Sequence, residues 1–143
     1  DAGCRRQRAR NSGRRRGTRL LNFVPKVGDK SAPLDLQQAA DYYLTARGQY
    51  PNSPNRMLLT SLSHLVSFTG FDQIDTLLTQ PLLAVAGSKA GSLWHRQELH
   101  KNTASTAKEL FIVDGATHME LYDGEGSRNA LAKVAPFFTA KLA

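Results

Sequence analysis

Pro81-Leu82-Leu83-Ala84-Val85-Ala86-Gly87 and, further along, Glu109-Leu110-Phe111-Ile112-Val113-Asp114-Gly115 are the stretches that decide the fold class. Each is a short apolar run closed by glycine, and neither alternates polar with apolar residues. A strand with one face in water alternates, whereas a strand covered on both faces does not. Both runs therefore read as buried strands of a parallel sheet. Between them, Ser92 is placed to cap a helix over about 93–103. Beyond them a loop runs from 116 to 126. Ser127 is then placed to cap a last helix, with Leu131, Val134, Ala135, Phe138 and Leu142 on one side and Pro136 set to bend or restart it. Strand, helix, strand, loop, helix is the order of a parallel α/β layer structure.

Upstream the period changes to that of helices. Leu36, Ala39, Ala40, Tyr43 and Leu44 recur at helical spacing, which predicts a helix over 34–47 with Asp35 as cap and Gly48 as stop. Residues 49–55, with two prolines and two asparagines, read as a loop. Asn55 is placed to cap a second helix to about Phe68, with Leu58, Leu59, Leu62, Leu65 and Val66 as its apolar face. Asp72 is placed to cap a short third helix to Leu78. Leu20 to Pro25 forms a short apolar patch suited to docking, and 28–33 a linker. No internal repeat is present.

The net charge of +7 is unevenly placed. Ten of the nineteen Lys and Arg lie within residues 1–30, against only Asp1 and Asp29; the remainder is close to neutral. The basic charge therefore belongs to a tail. The division expected is a basic, disordered tail and linker over 1–33 and a folded segment over 34–143. The apolar content of 41% suits a globular chain. No apolar run approaches the ~18 residues of a membrane span, and no apolar stretch follows the N-terminal charges as a signal peptide would require. A single cysteine, Cys4, excludes an internal disulfide and a Cys-rich zinc site, so a reducing cytoplasm is the expected location.

His118 is the leading candidate for chemistry. It follows the second buried strand by five residues, and in open α/β sheets the ligand site lies beyond the carboxyl ends of the strands. An imidazole there can accept and return a proton near neutral pH. The loop after the first strand, Gly87 to Ser92, is where an acid orienting that imidazole would sit, but it holds neither Asp nor Glu. No Gly-x-Ser-x-Gly elbow occurs, and Cys4 has no strand before it to build a nucleophile site. His64, His95 and His100 show no metal-ligand spacing, and no glycine-rich phosphate loop is present, so the sequence calls for no metal and no cofactor. Tyr42, Tyr43 and Tyr50 are available to line a pocket, although aromatics at helical spacing more often serve a core.

Leu78 to Ser88, followed by Lys108 to Asp123 with its Gly115-Ala116-Thr117-His118-Met119 run, resembles the C-terminal end of dienelactone-hydrolase-related α/β hydrolases, a mostly bacterial group. Asp41 to Gly48 and Asn55-Arg56-Met57 resemble the helical insertion those proteins carry before their last strands. The resemblance covers about 34–143. It implies the C-terminal portion of an α/β-hydrolase fold: two parallel core strands, flanking helices and a helical insertion. It also implies that His118 corresponds to the family's catalytic histidine, and that Gly91 stands where the family usually has an aspartate. The family's nucleophile lies upstream of the matching region. The Arg, Gly and Ala-rich character of residues 1–26 is what a shifted reading frame in a GC-rich gene would produce.

Three functions follow as expectations. The first is an α/β-hydrolase-type protein or fragment, acting on small ester-type substrates in intact relatives and inactive alone because nucleophile and acid are missing. The second is a non-catalytic module that pairs through an exposed sheet edge with another copy or with an upstream hydrolase half. The third is weak, nonspecific nucleic-acid binding through the arginines between residues 5 and 19, without aromatics for base stacking.

Overall fold

The computed structural model describes residues 19–142. The Arg-rich run up to Arg16 and Cys4 lie outside the described residues, and so do the readings placed on them. The elements in chain order are β1 (Leu20–Leu21), α1 (Leu34–Tyr43), β2 (Met57–Leu58), α2 (Ser61–Ser67), α3 (Ile74–Leu77), β3 (Leu82–Gly87), α4 (Leu93–Asn102), β4 (Lys108–Val113), α5 (Glu120–Asp123) and α6 (Glu125–Leu142). Among the described residues this is a mixed α/β topology with two small sheets and six helices.

The two decisive runs are strands, and they pair in parallel. Leu82 stands opposite Lys108 and Gly87 opposite Val113. Parallel neighbours need a long crossover, which α4 supplies. Helices α4 and α6 both pack on this pair, and α6 also packs on α5. The burial is more partial than continuous apolar strands predict. Only Ala84, Ala86 and Gly87 of β3 and Val113 of β4 are fully buried, while Ile112 is exposed. The reason is the width of the sheet. With two strands, each strand has an unpaired edge among the described residues, and the flanking helices leave part of each face uncovered.

The helical segments differ from their periodicity in instructive ways. Helix α1 ends at Tyr43 with Leu44 as its C-cap, so Gly48 is not its stop. Pro33 occupies the N-cap position. Asp35 lies inside the first turn, where its charge favours the helix dipole, and its carboxylate accepts from the Gly91 N–H at 3.4 Å. Asn55 starts no helix: its φ is 50° and its side chain reaches back to Phe23 and Val24. Strand β2 follows it and pairs antiparallel with β1, Leu20 facing Leu58 and Leu21 facing Met57. Helix α2 is shorter than the run of leucines suggests, and its apolar face is not buried: Val66 is 86% exposed and Phe68, just beyond, is 76% exposed. Gln73 rather than Asp72 occupies the N-cap position of α3, without a side-chain capping bond. Ser127 lies within α6, which begins at Glu125 and continues through Pro136 to Leu142.

Leu20 to Val24 docks within the chain's own fold. Val24 is 3% exposed and clusters with Ala39 and Ala40 of α1 and with Met119. This small core ties the N-terminal strand and α1 to the segment that follows β4. Its members are mostly small side chains, and larger ones such as Leu131, Phe138 and Leu142 of α6 remain exposed. No helix among the described residues is long and apolar enough to cross a membrane.

Candidate functional site

His118 is positioned by the turn that leaves β4. Gly115 adopts a φ of +73°, a conformation open to glycine without strain. The turn is sewn to the loop after β3. The Gly115 N–H donates to Ser88 Oγ at 2.8 Å, the Ser88 hydroxyl donates to Asp114 at 3.2 Å, and the Lys89 N–H donates to the Ala116 carbonyl at 2.9 Å. Gly87 allows this approach, because a Cβ there would run into the Ala116 carbonyl. The two loops beyond the strand ends therefore meet, as expected for neighbouring parallel strands.

The next four residues hold the histidine. The Thr117 N–H donates to the Glu120 carboxylate at 2.7 Å, and the Glu120 N–H donates to Thr117 Oγ1 at 3.4 Å, the reciprocal pattern of a capping box. The Thr117 amide, with its hydroxyl second, holds the Glu120 carboxyl below the usual carboxylate range. Met119 is buried in the core beside Val24. His118 is thus fixed between a hydrogen-bonded clamp and a buried anchor, and is itself half-buried.

Both imidazole nitrogens have a hydroxyl within reach. Nδ1 lies 3.3 Å from Ser92 Oγ, and Nε2 lies 3.0 Å from the Tyr122 hydroxyl. The rings of His118 and Tyr122 meet edge to face with centroids 5.3 Å apart. Tyr42 and Tyr43 pack edge-on against Tyr122, at 5.2 and 6.5 Å between centroids. Hydrogen bonding with Tyr122, followed by burial, pushes the Tyr43 phenol up to about 12. Arg47 closes the far side of this aromatic group. It donates to Asp123 through Nε at 2.6 Å and Nη2 at 2.7 Å, and to Asp41 at 3.2 Å. Asp123 raises the guanidinium pKa further, and the Arg47 fork holds the Asp123 carboxyl below its ordinary range.

His118, Ser92, Tyr122 and Arg96 line a cleft of about 150 Å³ at the carboxyl end of β3. Two larger clefts, of about 460 and 400 Å³, open beside α1 and beside the β2 segment, and neither is lined by His118.

The position expected to have lost an acid is not beside the imidazole. A Cβ at Gly91 would meet the Asp35 carboxylate of α1, so that position faces α1. Its neighbour Ser92 meets the imidazole instead. Ser92 is indeed the N-cap residue of α4, yet it makes no capping hydrogen bond; its hydroxyl turns to His118. The sequence reading missed Ser92, Tyr122 and Arg96 as site residues. Tyr122 carried a usable signal, standing four residues after His118 and so one helical turn away. His95 contacts Phe71 and Trp94, and no hydrogen bond joins His64, His95 or His100 to His118. Tyr50 is exposed and joins neither the aromatic group nor the cleft. Among the described residues, no cluster of three or more His, Cys, Asp or Glu is placed to hold a metal ion.

Chemically, the arrangement defines a small α/β unit with one histidine poised at the strand ends. An imidazole held this way can transfer a proton. Among the described residues no carboxylate bonds either nitrogen, and the hydroxyls of Ser92 and Tyr122 are its partners.

The chain is related to two uncharacterised bacterial proteins. It is 38% identical over 124 residues to the uncharacterized protein YcjY of Escherichia coli K12, a match covering 86% of this chain and 40% of the relative. It is 32% identical over 105 residues to the uncharacterized protein PA2218 of Pseudomonas aeruginosa, covering 71% of this chain and 28% of that one. The crystal structure of hypothetical protein PA2218 matches the fold with a TM-score of 0.74 at 26% identity, over 87% of this chain and 39% of that one. No family model matches the sequence. The chain thus spans two-fifths or less of the length of the relatives it matches.

Proposed function

We propose that this chain is the histidine-bearing part of an α/β-hydrolase-type catalytic unit and that, alone, it does not hydrolyse esters. His118 is the proton-transfer group of the completed site, and the hydrolase-like segment extends over 34–143. The observation that carries this reading is the placement of His118 beyond the ends of two parallel strands, with both ring nitrogens held by hydroxyls. The resemblance of the Gly115-to-Met119 run to dienelactone-hydrolase-related proteins supports it, as does the greater length of the relatives. In an intact site a nucleophile attacks the ester carbonyl, and the imidazole takes its proton and returns it to the leaving group. In a triad that task falls to Nε2, and here Nε2 meets the Tyr122 hydroxyl rather than an activated Ser or Cys. A cytoplasmic setting and a small ester-type substrate belong to the same proposal.

The test is turnover of p-nitrophenyl acetate by the full chain and by His118→Ala. Neither should exceed the buffer rate. Turnover that vanishes on His118→Ala would show the chain to be complete. The role of His118 is tested by adding the remainder of the Escherichia coli relative, the part outside the match. Slow hydrolysis that requires His118 supports the role, and hydrolysis indifferent to His118→Ala overturns it.

A second reading has its own observation. Both outer edges of the β3–β4 pair are unpaired among the described residues, and α6 exposes Leu131, Phe138 and Leu142. Unpaired edges and uncovered apolar faces favour association. Sedimentation of the chain as a monomer at high concentration, with one sharp unfolding transition, would argue against it.

A further inference from the structure

The cleft at His118 has a charge that proton transfer does not use. Four polar side chains line it as two pairs spaced i, i+4. Ser92 and Arg96 come from the start and first turn of α4, and His118 and Tyr122 from the turn after β4 and from α5. Residues four apart on a helix share a face, so the two pairs look at each other across one small volume. The remaining lining is apolar side chain or backbone, and no Asp or Glu contributes.

Arg96 is half-buried and, among the described residues, forms no ion pair. A half-buried arginine without an anion partner leaves its guanidinium free to take one. The guanidinium fork matches a planar carboxylate, which it can bind with two parallel hydrogen bonds. The hydroxyls of Ser92 and Tyr122 are further donors at the same place. At about 150 Å³ the cleft is below the usual range for drug-sized ligands and suits a carboxylate on a short chain.

We propose that this cleft binds a small carboxylate, with Arg96 as its charge partner and the Ser92 and Tyr122 hydroxyls as additional donors. The binding stands on the cleft itself. Its meaning rests on the hydrolase reading, under which the carboxylate is the acid released by ester cleavage, held beside the imidazole that assists its formation.

The test is an NMR titration of the full chain with sodium acetate at constant ionic strength, with sodium chloride and inorganic phosphate as parallel arms. Acetate should give saturable shifts at Ser92 and His118, and chloride should not. Arg96→Met should weaken acetate at least tenfold, which corresponds to about 1.4 kcal/mol. Arg96→Lys keeps the charge and loses the fork, and should fall between the two. Acetate binding is read without any ester substrate, so it can be found even if the histidine has no role in hydrolysis. Shifts that do not saturate, equal shifts with chloride, saturation by phosphate alone, or unchanged affinity in both Arg96 variants would overturn the proposal.

Discussion

The Ser92 hydroxyl lies 3.3 Å from Nδ1 of His118, bridging the cap of α4 and the turn after β4. The contact joins the two loops that leave the parallel pair, and it stands where a carboxylate would orient the ring in a triad. A hydroxyl can accept from Nδ1–H or donate to Nδ1, so it constrains the ring without fixing its charge.

Ser92→Ala should therefore free the ring more than it harms the fold. The expected stability loss is about 1 kcal/mol, the value of one partly buried hydrogen bond. The sharper readout is the pair of imidazole ¹⁵N shifts, which report the tautomer. They should move in Ser92→Ala toward those of a free histidine side chain. Unchanged shifts would mean that Tyr122 alone sets the ring.

Gly91→Asp should not restore an acid to the imidazole. Its Cβ would face the Asp35 carboxylate and displace the bond from the Gly91 amide. Two carboxylates would then confront each other across the contact between α1 and the loop before α4. Gly91→Asp should be less stable than Gly91→Asn at neutral pH, and high salt should narrow the gap by screening. Adding Asp35→Asn should close most of it. A Gly91→Asp chain as stable as Gly91→Asn at low salt would refute the placement.

Acid should weaken the Arg47 clamp in a defined window. Asp123 has a depressed pKa in the folded chain, chiefly through its hydrogen bonds from Arg47. A carboxylate with a lowered folded pKa contributes stability that is present above its unfolded value of about 3.9 and is lost as pH falls through the folded value. The stability difference between wild type and Arg47→Met should therefore be constant from neutral pH down to about 5 and shrink below about 4. Denaturant midpoints across that range provide the check. A difference that grew toward acid would contradict the assignment.

The strands and their parallel pairing were legible because continuous apolar runs closed by glycine admit few other readings. The place of His118 beyond the strand ends was legible because it follows one of them. Which residue of the preceding loop faces the ring was not, because a sequence offset of one residue decides whether a side chain meets Asp35 or His118, and spacing does not report which. The second helix was overread for a different reason. Leu58, Leu59, Leu62, Leu65 and Val66 carry a helical period, but β-pairing with Leu20–Leu21 claims the first of them, and Leu62, Leu65 and Val66 stay exposed. That pairing partner lay 38 residues upstream, in the apolar patch of 20–25, which spacing could not assign to a place in the fold.

Asn55 is the residue that ties the 20–25 patch to the fold, and its replacement should release it. Its Oδ1 accepts from the Phe23 and Val24 amides at 2.9 Å each, and its Nδ2 donates to the Val24 carbonyl at 2.9 Å. Its own φ of 50° is one that Asn tolerates better than most residues. Val24, so held, packs with Ala39, Ala40 and Met119, and Met119 adjoins His118. Asn55→Ala removes three hydrogen bonds and should cost about 2–3 kcal/mol, counting roughly 1 for each. The Val24 amide should exchange faster, and protease should cut the chain within residues 20–25. Asn55→Gly separates the two contributions, since glycine accepts the backbone conformation but cannot make the bonds. If the clamp matters, Asn55→Gly should be nearly as unstable as Asn55→Ala and equally open at Val24. If Asn55→Gly behaves as wild type, the backbone conformation alone is what position 55 provides. The Val24 core would then hold β1 in place without the clamp.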